Sequence, residues 1–390
     1  MASVDVLIAG AGPAGSAMAA ALARGGASVL LVEAAEHPRP KACAEYASPR
    51  IVEELKRLGV EAGWTDAAVP LQGMDLHAGG RTMPIRYADA RGPREAWGLD
   101  RRSFDAILAD HAAKAGAVLR ERTRLVGLVT QGGRVCGGTL RDAVTGRDEV
   151  VSAGWTVGAD GTRSSVSRLV GADRGVRFPR RIGLVAHFTG IGELTDHGEM
   201  HVGPDYYVGL APTPGGELNV GMALPMEPDR GSGRGRFEAA IAGLPAVARR
   251  LAGSARLTPI RGAAPIGHRV STPAGAGWLL VGDAAGFVDP FTGEGIHRAL
   301  RSARAAADAI LAGGDVANAY RAERRRAFAA KVALSWLVQG FLAAPPLLEY
   351  VVRRLESRPR AALRLGSALG DCRPATDALS PGALVEVLAP

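Results

Sequence analysis

A glycine-rich turn near the start of the chain lies between an apolar run and an alanine-rich stretch. Residues 4–9 have the composition of a buried parallel strand, and residues 14–24 have that of a helix. Gly10 would permit the tight turn, Gly12 would let the backbone approach a pyrophosphate, and Gly15 would let the helix pack close to the strand. The turn consists of Gly10, Ala11, Gly12, Pro13, Ala14 and Gly15.

A second strand, predicted over residues 28–32, leads to an acidic residue. Glu33 follows Gly15 by 18 residues, close to the position where a carboxylate holds a ribose hydroxyl in dinucleotide sites. Strand, turn, helix, strand and acid together predict a Rossmann-like dinucleotide site. This fingerprint alone does not distinguish FAD from NAD.

Two later motifs favour FAD. Gly158-Ala159-Asp160-Gly161 lies in the middle of the chain, and residues 282–290 follow a strand predicted at 277–281. With the first turn, these motifs resemble the flavoprotein monooxygenase superfamily of the aromatic hydroxylase type, and within it the geranylgeranyl-reductase-like branch. The resemblance runs from about residue 3 to about residue 312, with a weaker likeness beyond. It implies an α/β fold: a Rossmann-like FAD-binding domain, a mixed β-sheet substrate domain and C-terminal helices.

The resemblance also implies roles at the cofactor. Asp283 would contact the ribityl chain, the amides of Gly295 and Ile296 would stabilise negative charge on the reduced flavin, and Arg101 would reach toward the flavin. Leu125 would offer its backbone to the adenine. The cofactor-binding candidates are Gly10, Gly12, Pro13, Ala14, Gly15, Glu33, Arg39, Lys41, Arg101, Leu125, Asp160, Gly282, Asp283, Pro290, Gly293, Gly295 and Ile296.

Some of these candidates have a second interpretation. Arg39 and Lys41 match the family's basic segment near the pyrophosphate, but they could equally be ordinary surface residues. In the family, the position of Asp160 has been linked both to FAD and to the reduced nicotinamide. It could instead be an aspartate that stabilises a turn.

The chain departs from the branch just after Lys41. The branch usually has Cys-Gly-Gly there, whereas this chain has Cys43-Ala44-Glu45. Cys43 is either catalytic, as in the branch, or a small buried apolar residue. Glu45 is either a proton carrier beside the flavin, since burial can raise a carboxyl pKa, or a loop carboxylate paired with Arg50.

Histidine and tyrosine residues of the second half are further candidates. His187, on a predicted strand, could deprotonate a phenol because its ordinary pKa is near physiological pH, or it could be a hydrogen-bonded structural residue. Tyr206 and Tyr207 are adjacent, so only one should face a cavity. His297 follows the predicted flavin loop and would pack or cap a helix.

Periodicity divides the chain into three regions. We expect residues 1–70, 98–180 and 265–330 to form the FAD-binding domain. Residues 71–97 and 181–264 should form the substrate domain, with strands at 182–188, 199–202, 206–211 and 217–223. Residues 331–390 should be helical.

Composition excludes several classes of protein. The net charge is +8, but only four of the 47 basic residues are lysine, and no aromatic-rich basic stretch accompanies them, so we expect no nucleic-acid partner. Three separated cysteines form no disulfide framework and no metal cluster, which favours a reducing compartment and no bound metal. The apolar start has no basic leading region, so we expect a cytoplasmic protein.

The region after residue 331 contains two apolar segments that end at Pro345 and Pro346. They are too short to span a membrane, which requires ~20 apolar residues. They should be either amphipathic helices packed on the body, or the wall of a tunnel or a peripheral membrane contact for an apolar substrate.

Three functions follow, in order of preference. The first is an NAD(P)H-dependent FAD monooxygenase that uses molecular oxygen on a hydrophobic aromatic, polyketide or isoprenoid intermediate of specialised metabolism. The second is a flavin-dependent reductase of prenyl or other conjugated double bonds. The third is an FAD-containing cyclase or binding protein without net redox chemistry. In the first two, NADPH or NADH would bind only transiently, since the chain has one dinucleotide fingerprint. The oligomeric state does not follow from the sequence.

Overall fold

A computed structural model describes residues 2–60, 63–227 and 233–388. Helices account for most of the C-terminal part. They are α1 (Pro13–Arg24), α2 (Ile51–Arg57), α3 (Arg101–Lys114), α4 (Ser165–Leu169), α5 (Gly233–Ala242), α6 (Pro245–Arg250), α7 (Gly295–Ala312), α8 (Val316–Leu342), α9 (Pro345–Glu356), α10 (Pro359–Leu369), α11 (Ala375–Leu379) and α12 (Pro381–Leu388).

All strands except β1 lie between α1 and α7. In the first half they are β1 (Ala2–Ala9), β2 (Val29–Val32), β3 (Tyr46–Ala47), β4 (Ala68–Leu71), β5 (Met74–Ala78), β6 (Arg81–Ile85), β7 (Tyr87–Asp89), β8 (Gly92–Arg94), β9 (Ala96–Leu99), β10 (Val118–Arg120), β11 (Thr123–Gln131), β12 (Arg134–Asp142) and β13 (Asp148–Gly158). In the second half they are β14 (Asp173–Arg174), β15 (Arg181–Thr189), β16 (Gly198–Val202), β17 (Tyr207–Thr213), β18 (Glu217–Pro225), β19 (Ala255–Arg256), β20 (Arg261–Ala263), β21 (Arg269–Val270), β22 (Ala274–Gly275) and β23 (Trp278–Leu280).

The first sheet carries the glycine turn. Its strands run in the order β10-β2-β1-β13-β12-β11, and β23 also pairs with β13. Strands β10, β2, β1, β13 and β23 are parallel to one another, and β11 and β12 form an antiparallel hairpin. Helices α1, α3 and α7 pack together in the core cluster on one face of this sheet, and a second cluster covers the other face. Val29 and Leu31 of β2 pack in the first cluster, and Leu30 and Val32 pack in the second, so β2 is buried along its whole length. The sheet has the parallel Rossmann-like centre that the first motif predicts.

The second sheet takes strands from both segments assigned to the substrate domain. Its order is β19-β15-β18-β17-β16-β5-β6, with β20 beside β15. All of its pairings are antiparallel except that of β16 with β5. The four strands expected here are present as β15–β18, each beginning and ending within two residues of its expected bounds. The mixed sheet is confirmed, and the exact domain boundaries stay predictions.

The C-terminal helices pack on one end of the second sheet. Leu334, Leu348 and Val352 lie in the same core cluster as Met74 and Met83 of β5 and β6. Among the described residues no single helix is long and apolar enough to cross a membrane, and only α8 and α9 together, bent by 111° at their break, pass a length and composition test. The apolar stretch after residue 331 lies in α8 up to Leu342, α9 begins at Pro345, and α10, α11 and α12 follow, so the expected C-terminal helices are confirmed.

Candidate active site

The glycine turn joins β1 to α1 in a conformation that requires glycine. Gly10 has a φ of 104°, in the region that side-chain-bearing residues rarely adopt. A Cβ atom at Gly15 would lie 1.8 Å from the carbonyl oxygen of Gly10, whereas one at Gly12 would have only Arg39 Nη2 nearby, at 3.6 Å. The turn is thus packed tightly at Gly15 and remains open at Gly12, where Pro13 and Ala14 also line the cavity.

Glu33 ties the end of β2 to this turn. Its Oε2 atom accepts a hydrogen bond from the Ala11 amide at 2.9 Å and another from Arg39 Nη2 at 3.1 Å. Its Oε1 atom accepts from the Ala35 amide at 3.1 Å. The carboxylate is buried beside the glycine turn, and its contact with a ribose hydroxyl stays a prediction.

Basic side chains follow along the edge of the turn. Arg39 Nη1 lies 3.5 Å from Asp105 Oδ2, and Arg101 donates two hydrogen bonds to Asp105 at 2.8 and 3.0 Å. Burial opposes ionisation of Asp105, but the charge and hydrogen bonds of Arg101 hold its pKa below the usual value. Arg101 also donates to Cys43 Sγ at 3.1 Å. Arg39 is therefore a half-buried member of a charge network rather than an ordinary surface residue.

The late motif adds backbone atoms to the lining of the same cavity, next to the glycine turn. Gly282 has a φ of 59°, and its amide donates to Ser302 Oγ at 2.8 Å. The loop from Pro290 leads into α7, which begins at Gly295. The N-terminus of this 18-residue helix therefore carries unpaired amides and a partial positive charge at the cavity. The cavity-lining candidates from this motif are Gly282, Asp283, Pro290, Gly293, Gly295 and Ile296.

Asp160 and Leu125 are two of the six cofactor candidates that lie outside the cavity lining; the others are Gly10, Gly15, Glu33 and Arg39. Asp160 accepts a hydrogen bond from the Ser165 amide at 2.6 Å, and burial raises its pKa; its neighbour Gly161 lines the cavity. Leu125 lies in β11, and its side chain is buried in the cluster on the other face of the first sheet. The structure therefore shows Asp160 supporting the turn, while the cofactor roles of both residues stay predictions.

One cavity joins these motifs to the second sheet. It contains about 1480 Å³ of empty space, part of which is open to solvent. Lys41, Cys43 and Arg101 line it near the glycine turn. The wall formed by the second sheet and adjoining loops is mostly apolar, with side chains of Val185, Met200, Leu210, Met222, Ile266 and Phe287.

Glu45 lines this cavity and is held by several hydrogen bonds. Its backbone φ is 57°, and its carbonyl oxygen accepts from the Leu99 amide at 2.8 Å. Its Oε1 atom accepts from the Arg101 amide at 3.2 Å, and its Oε2 atom accepts from Asn219 Nδ2 at 3.0 Å. The expected alternative, pairing with Arg50, is wrong, because Arg50 extends to Glu53 at 2.5 Å while Glu45 points into the protein.

His187 is the partner of Glu45. Its Nε2 atom lies 2.6 Å from Glu45 Oε2, and its Nδ1 atom lies 3.3 Å from Thr258 Oγ1. The hydrogen bond with Glu45 raises the pKa of His187 despite partial burial. The structure thus brings together all three catalytic candidates, since Glu45 also donates its amide to Cys43 Sγ at 3.3 Å.

The sequence analysis missed a buried network beside the flavin loop. Tyr207 donates to Asp289 Oδ1 at 2.6 Å, and Arg181 donates to Asp289 Oδ2 at 2.7 Å and to Gln339 at 2.6 Å. Tyr207 lines the cavity, whereas Tyr206 donates to the carbonyl of Ala240. This agrees with the strand alternation, but the pairing with Asp289 has no local sequence signal.

A histidine cluster lies at the other end of the second sheet. Ligand atoms of His77, Glu199 and His201 lie within 4.8 Å of one another. However, the two rings are stacked with centroids 4.2 Å apart and planes 8° apart, so one ion could not lie in both ring planes. Glu199 already pairs with His201 at 2.9 Å and Arg250 at 3.0 Å. The absence of a bound metal stays a prediction.

The tight glycine turn, the buried acid after β2 and the N-terminus of α7 at the same cavity define a flavoprotein of the α/β class. The chain belongs to the FAD binding domain family, whose family model matches residues 3–334. It is an FAD-dependent oxidoreductase.

Three known proteins illustrate the likeness. The chain is 32% identical to the menaquinone reductase of Mycolicibacterium smegmatis over 332 residues, 80% of this chain and 77% of that protein. It is 31% identical to the digeranylgeranylglycerophospholipid reductase of Methanosarcina acetivorans over 324 residues, 80% of this chain and 77% of that protein. A geranylgeranyl bacteriochlorophyll reductase-like structure from Thermoplasma acidophilum has a TM-score of 0.81 at 24% identity and covers 94% of this chain and 96% of its own. The expected branch of the superfamily is confirmed.

The residues present fit FAD. Gly12 leaves open space at the N-terminus of α1, where a pyrophosphate can accept backbone hydrogen bonds. Among the described side chains, Arg39 Nε, Asp160 Oδ1 and Thr292 Oγ1 are buried without a hydrogen-bond partner. Arg39 adjoins the glycine turn, and Thr292 belongs to the loop before α7. Buried polar atoms of this kind are typical of a site that a polar ligand completes.

Proposed function

We propose that this protein reduces a carbon–carbon double bond in the isoprenoid part of a hydrophobic molecule, with NADPH or NADH as the transient source of electrons. The relatives named menaquinone reductase and digeranylgeranylglycerophospholipid reductase support this activity over the hydroxylation that the sequence led us to expect first. NAD(P)H, the substrate and the oligomeric state remain part of the proposal.

One observation carries the proposal: the apolar wall belongs to the same cavity as the motifs that would hold the flavin. Met200, Leu210 and Met222 lie on this wall, and Gly12 and Gly295 line the same cavity. Burial of an apolar chain against such residues contributes roughly 25 cal/mol per Å². A long hydrocarbon chain would therefore bind here with its double bond beside the cofactor.

The protein's own residues would position both reactants. Gly12 and the N-terminus of α1 would bind the pyrophosphate, and Asp283 would bind the ribityl chain. The amides of Gly295 and Ile296, at the N-terminus of α7, would favour negative charge on the ring. FAD supplies the hydride chemistry when bound. Arg101 would keep Cys43 oriented through its hydrogen bond to the sulfur.

The test uses purified holoprotein reduced with NADPH without oxygen. We would add a menaquinone or a geranylgeranylated lipid and follow flavin absorbance together with the mass of the product. A product that gains two hydrogen atoms, with oxidation of the flavin, would support the reductase. If no alkene oxidises the flavin, reduction is the wrong assignment.

Hydroxylation remains a second candidate because of one local difference. Ala44 and Glu45 stand where the reductase branch usually has two glycines, and the Ala44 Cβ atom lies against Gly221 in the cavity. The same substrates would be offered with isotopically labelled oxygen. Incorporation of one labelled oxygen atom would favour the monooxygenase, whereas an isomeric product with no gain of hydrogen or oxygen would favour the third candidate, a cyclase.

We also propose that the protein is cytoplasmic and that its C-terminal helices contact a membrane surface where an apolar substrate resides. Trp336 on α8 and Leu347 on α9 expose 40% and 41% of their surface, and partly exposed aromatic residues suit an interface. Sedimentation with liposomes would test this contact. Trp336→Gln should reduce the bound fraction, and an unchanged fraction would argue against the contact through α8.

A further inference from the structure

We propose that His187 and Glu45 form a proton relay from solvent to the cavity. Glu45 is the group that gives the proton to the substrate, and His187 supplies that proton to Glu45. This inference rests on the proposed function, because it assigns the source of the proton that the reduction consumes.

The two side chains lie on opposite sides of the boundary between solvent and cavity. The His187 side chain is 20% exposed, whereas the Glu45 side chain is 3% exposed and lines the cavity. The 2.6 Å distance between His187 Nε2 and Glu45 Oε2 permits direct proton transfer. His187 is therefore accessible to water, and Glu45 is accessible from the cavity.

Neighbouring residues hold the pair in this geometry. Asn219 lies directly opposite His187 on β18, and its Nδ2 atom donates to Glu45 Oε2 at 3.0 Å. Thr258 holds the other ring nitrogen of His187 at 3.3 Å. The Arg101 amide fixes the second carboxylate oxygen of Glu45. These contacts orient the carboxylate although the Glu45 backbone has a φ of 57°, an unfavourable conformation for a residue with a side chain.

The charges around the pair keep a proton available. The hydrogen bond that the Glu45 carboxylate accepts from His187 is the largest cause that raises the pKa of His187, and the charges of Glu45, Glu217 and Asp100 raise it further against partial burial. Arg101 and Cys43 also contact Glu45 through backbone amides and sulfur. The charge of Arg101 is balanced by its ion pair with Asp105. His187 therefore remains a proton donor to a higher pH than an ordinary histidine.

The atoms and electrons of the reduction balance through this relay. The π bond of the alkene is lost, and one carbon receives a hydride whose two electrons come from the reduced cofactor. His187 first passes its proton to the Glu45 carboxylate, and the other carbon then receives that proton from the Glu45 carboxyl group. His187 recovers a proton from water, and Glu45 is again a carboxylate.

The first experiment measures the pair without turnover. The titration of His187 would be followed by NMR in holoprotein that carries either the native residue or Glu45→Gln. The variant should lower the pKa of His187, because an amide replaces the carboxylate that favours the imidazolium. The matched control, Glu53→Gln, removes a half-exposed carboxylate that pairs with Arg50 and should leave the titration unchanged. Identical titrations in Glu45→Gln and the native protein would overturn the relay.

The second experiment measures the pH profile of alkene reduction. His187→Gln keeps a hydrogen-bonding side chain but cannot cycle a proton, so turnover should fall by ~10²-fold and free imidazole should restore it in proportion to its concentration. Glu45→Gln should show a loss at least as large without rescue. His77→Gln, a histidine replacement in the same sheet, should retain the native profile, and flavin content would confirm that each variant is folded.

The outcomes separate the relay from the proposed function. If the native protein reduces alkenes but His187→Gln retains its rate and pH profile, the relay is wrong and the reductase assignment stands. If the native protein reduces no alkene, the reductase assignment fails and the relay fails with it, even if the NMR experiment still finds the coupled pair.

Discussion

Lys331 Nζ lies 3.0 Å from Asp371 Oδ1 in the protein interior, so that α8 is tied to the loop after α10. The same ammonium group lies 3.3 Å from Glu294 Oε2, immediately before α7. It also donates hydrogen bonds to the carbonyl oxygens of Ala368 and Leu369 at 3.0 and 2.6 Å. One buried cation thus connects the C-terminal helices to the predicted flavin loop.

Replacing this lysine should strongly destabilise the protein. Lys331→Met leaves the Asp371 and Glu294 carboxylates buried without their shared cation, which typically costs about 3–5 kcal/mol. Urea unfolding of the holoprotein would measure the change. Lys114→Met is the matched control, since Lys114 pairs with Asp110 on the surface and exposed pairs contribute little. Equal stability of the two variants would show that the buried cluster is not important for stability.

Asp371 should make the protein sensitive to acid. Burial opposes its ionisation, but the charge of Lys331 holds its pKa well below the usual value. Because the pKa is lower in the folded state, this stabilisation is present above the unfolded pKa of about 3.9 and is lost as the pH falls below it. Asp371→Asn keeps a residue that tolerates the φ of 62°.

The free energy of unfolding would be measured from neutral pH to pH ~3. It should fall less steeply in Asp371→Asn than in the native protein, while Asp308→Asn, on the exposed side of α7, should follow the native slope. Parallel slopes for Asp371→Asn and the native protein would contradict the role of this carboxylate in acid sensitivity.

Gly15→Ala should prevent retention of FAD. The added methyl group would meet the carbonyl oxygen of Gly10 at 1.8 Å, so α1 must move away from β1. We expect a loss of stability of about 1–3 kcal/mol and loss of flavin absorbance after gel filtration. Gly175→Ala introduces the same group where no atom lies within 4 Å and should keep its flavin. Full flavin content in Gly15→Ala would refute the assignment of the turn.

Asp283→Ala should weaken FAD binding more than Glu33→Gln. Asp283 lines the cavity, whereas Glu33 keeps hydrogen-bonding partners within the turn. We expect the Kd for FAD to rise at least ~10-fold for Asp283→Ala, which corresponds to about 1.4 kcal/mol, and less for Glu33→Gln. Fluorescence titration of apoprotein would measure both values, with Asp308→Ala as control. A native Kd for Asp283→Ala would remove this residue from the cofactor site.

Local patterns were sufficient to predict most of the fold. The bounds of α1, β2 and β15–β18 follow from apolar periodicity and glycine-rich turns, because burial of one face imposes a repeat on the sequence. The parallel centre of the first sheet follows from the order of the motifs. The helices after α8 were harder to separate, since short segments between prolines have weak periodicity.

The side-chain contacts of the candidate site were less predictable. Glu45 and His187 are 142 residues apart, and the pairing that joins them depends on how β15 lies over the loop after Lys41. Asn219 belongs to no motif, and although Asp289 lies in the motif at residues 282–290, nothing local indicates its partners, since an aspartate before a proline occurs in many contexts. Their roles become visible only when tertiary structure brings their partners close.

The first sheet has a consequence for synthesis of the chain. Its initial strand, β1, pairs with β13, and β13 pairs in turn with β23, which lies beyond every strand of the second sheet in the chain. On this edge β12 pairs only with residues 148–152 of β13, so a nascent polypeptide leaves residues 156–158 unpaired until residues 278–280 emerge from the ribosome. Such distant pairing slows folding. A shortened chain ending after β13 would keep this part of the edge open, and open strand edges favour aggregation, so the nucleotide-binding half should not be obtained by truncation.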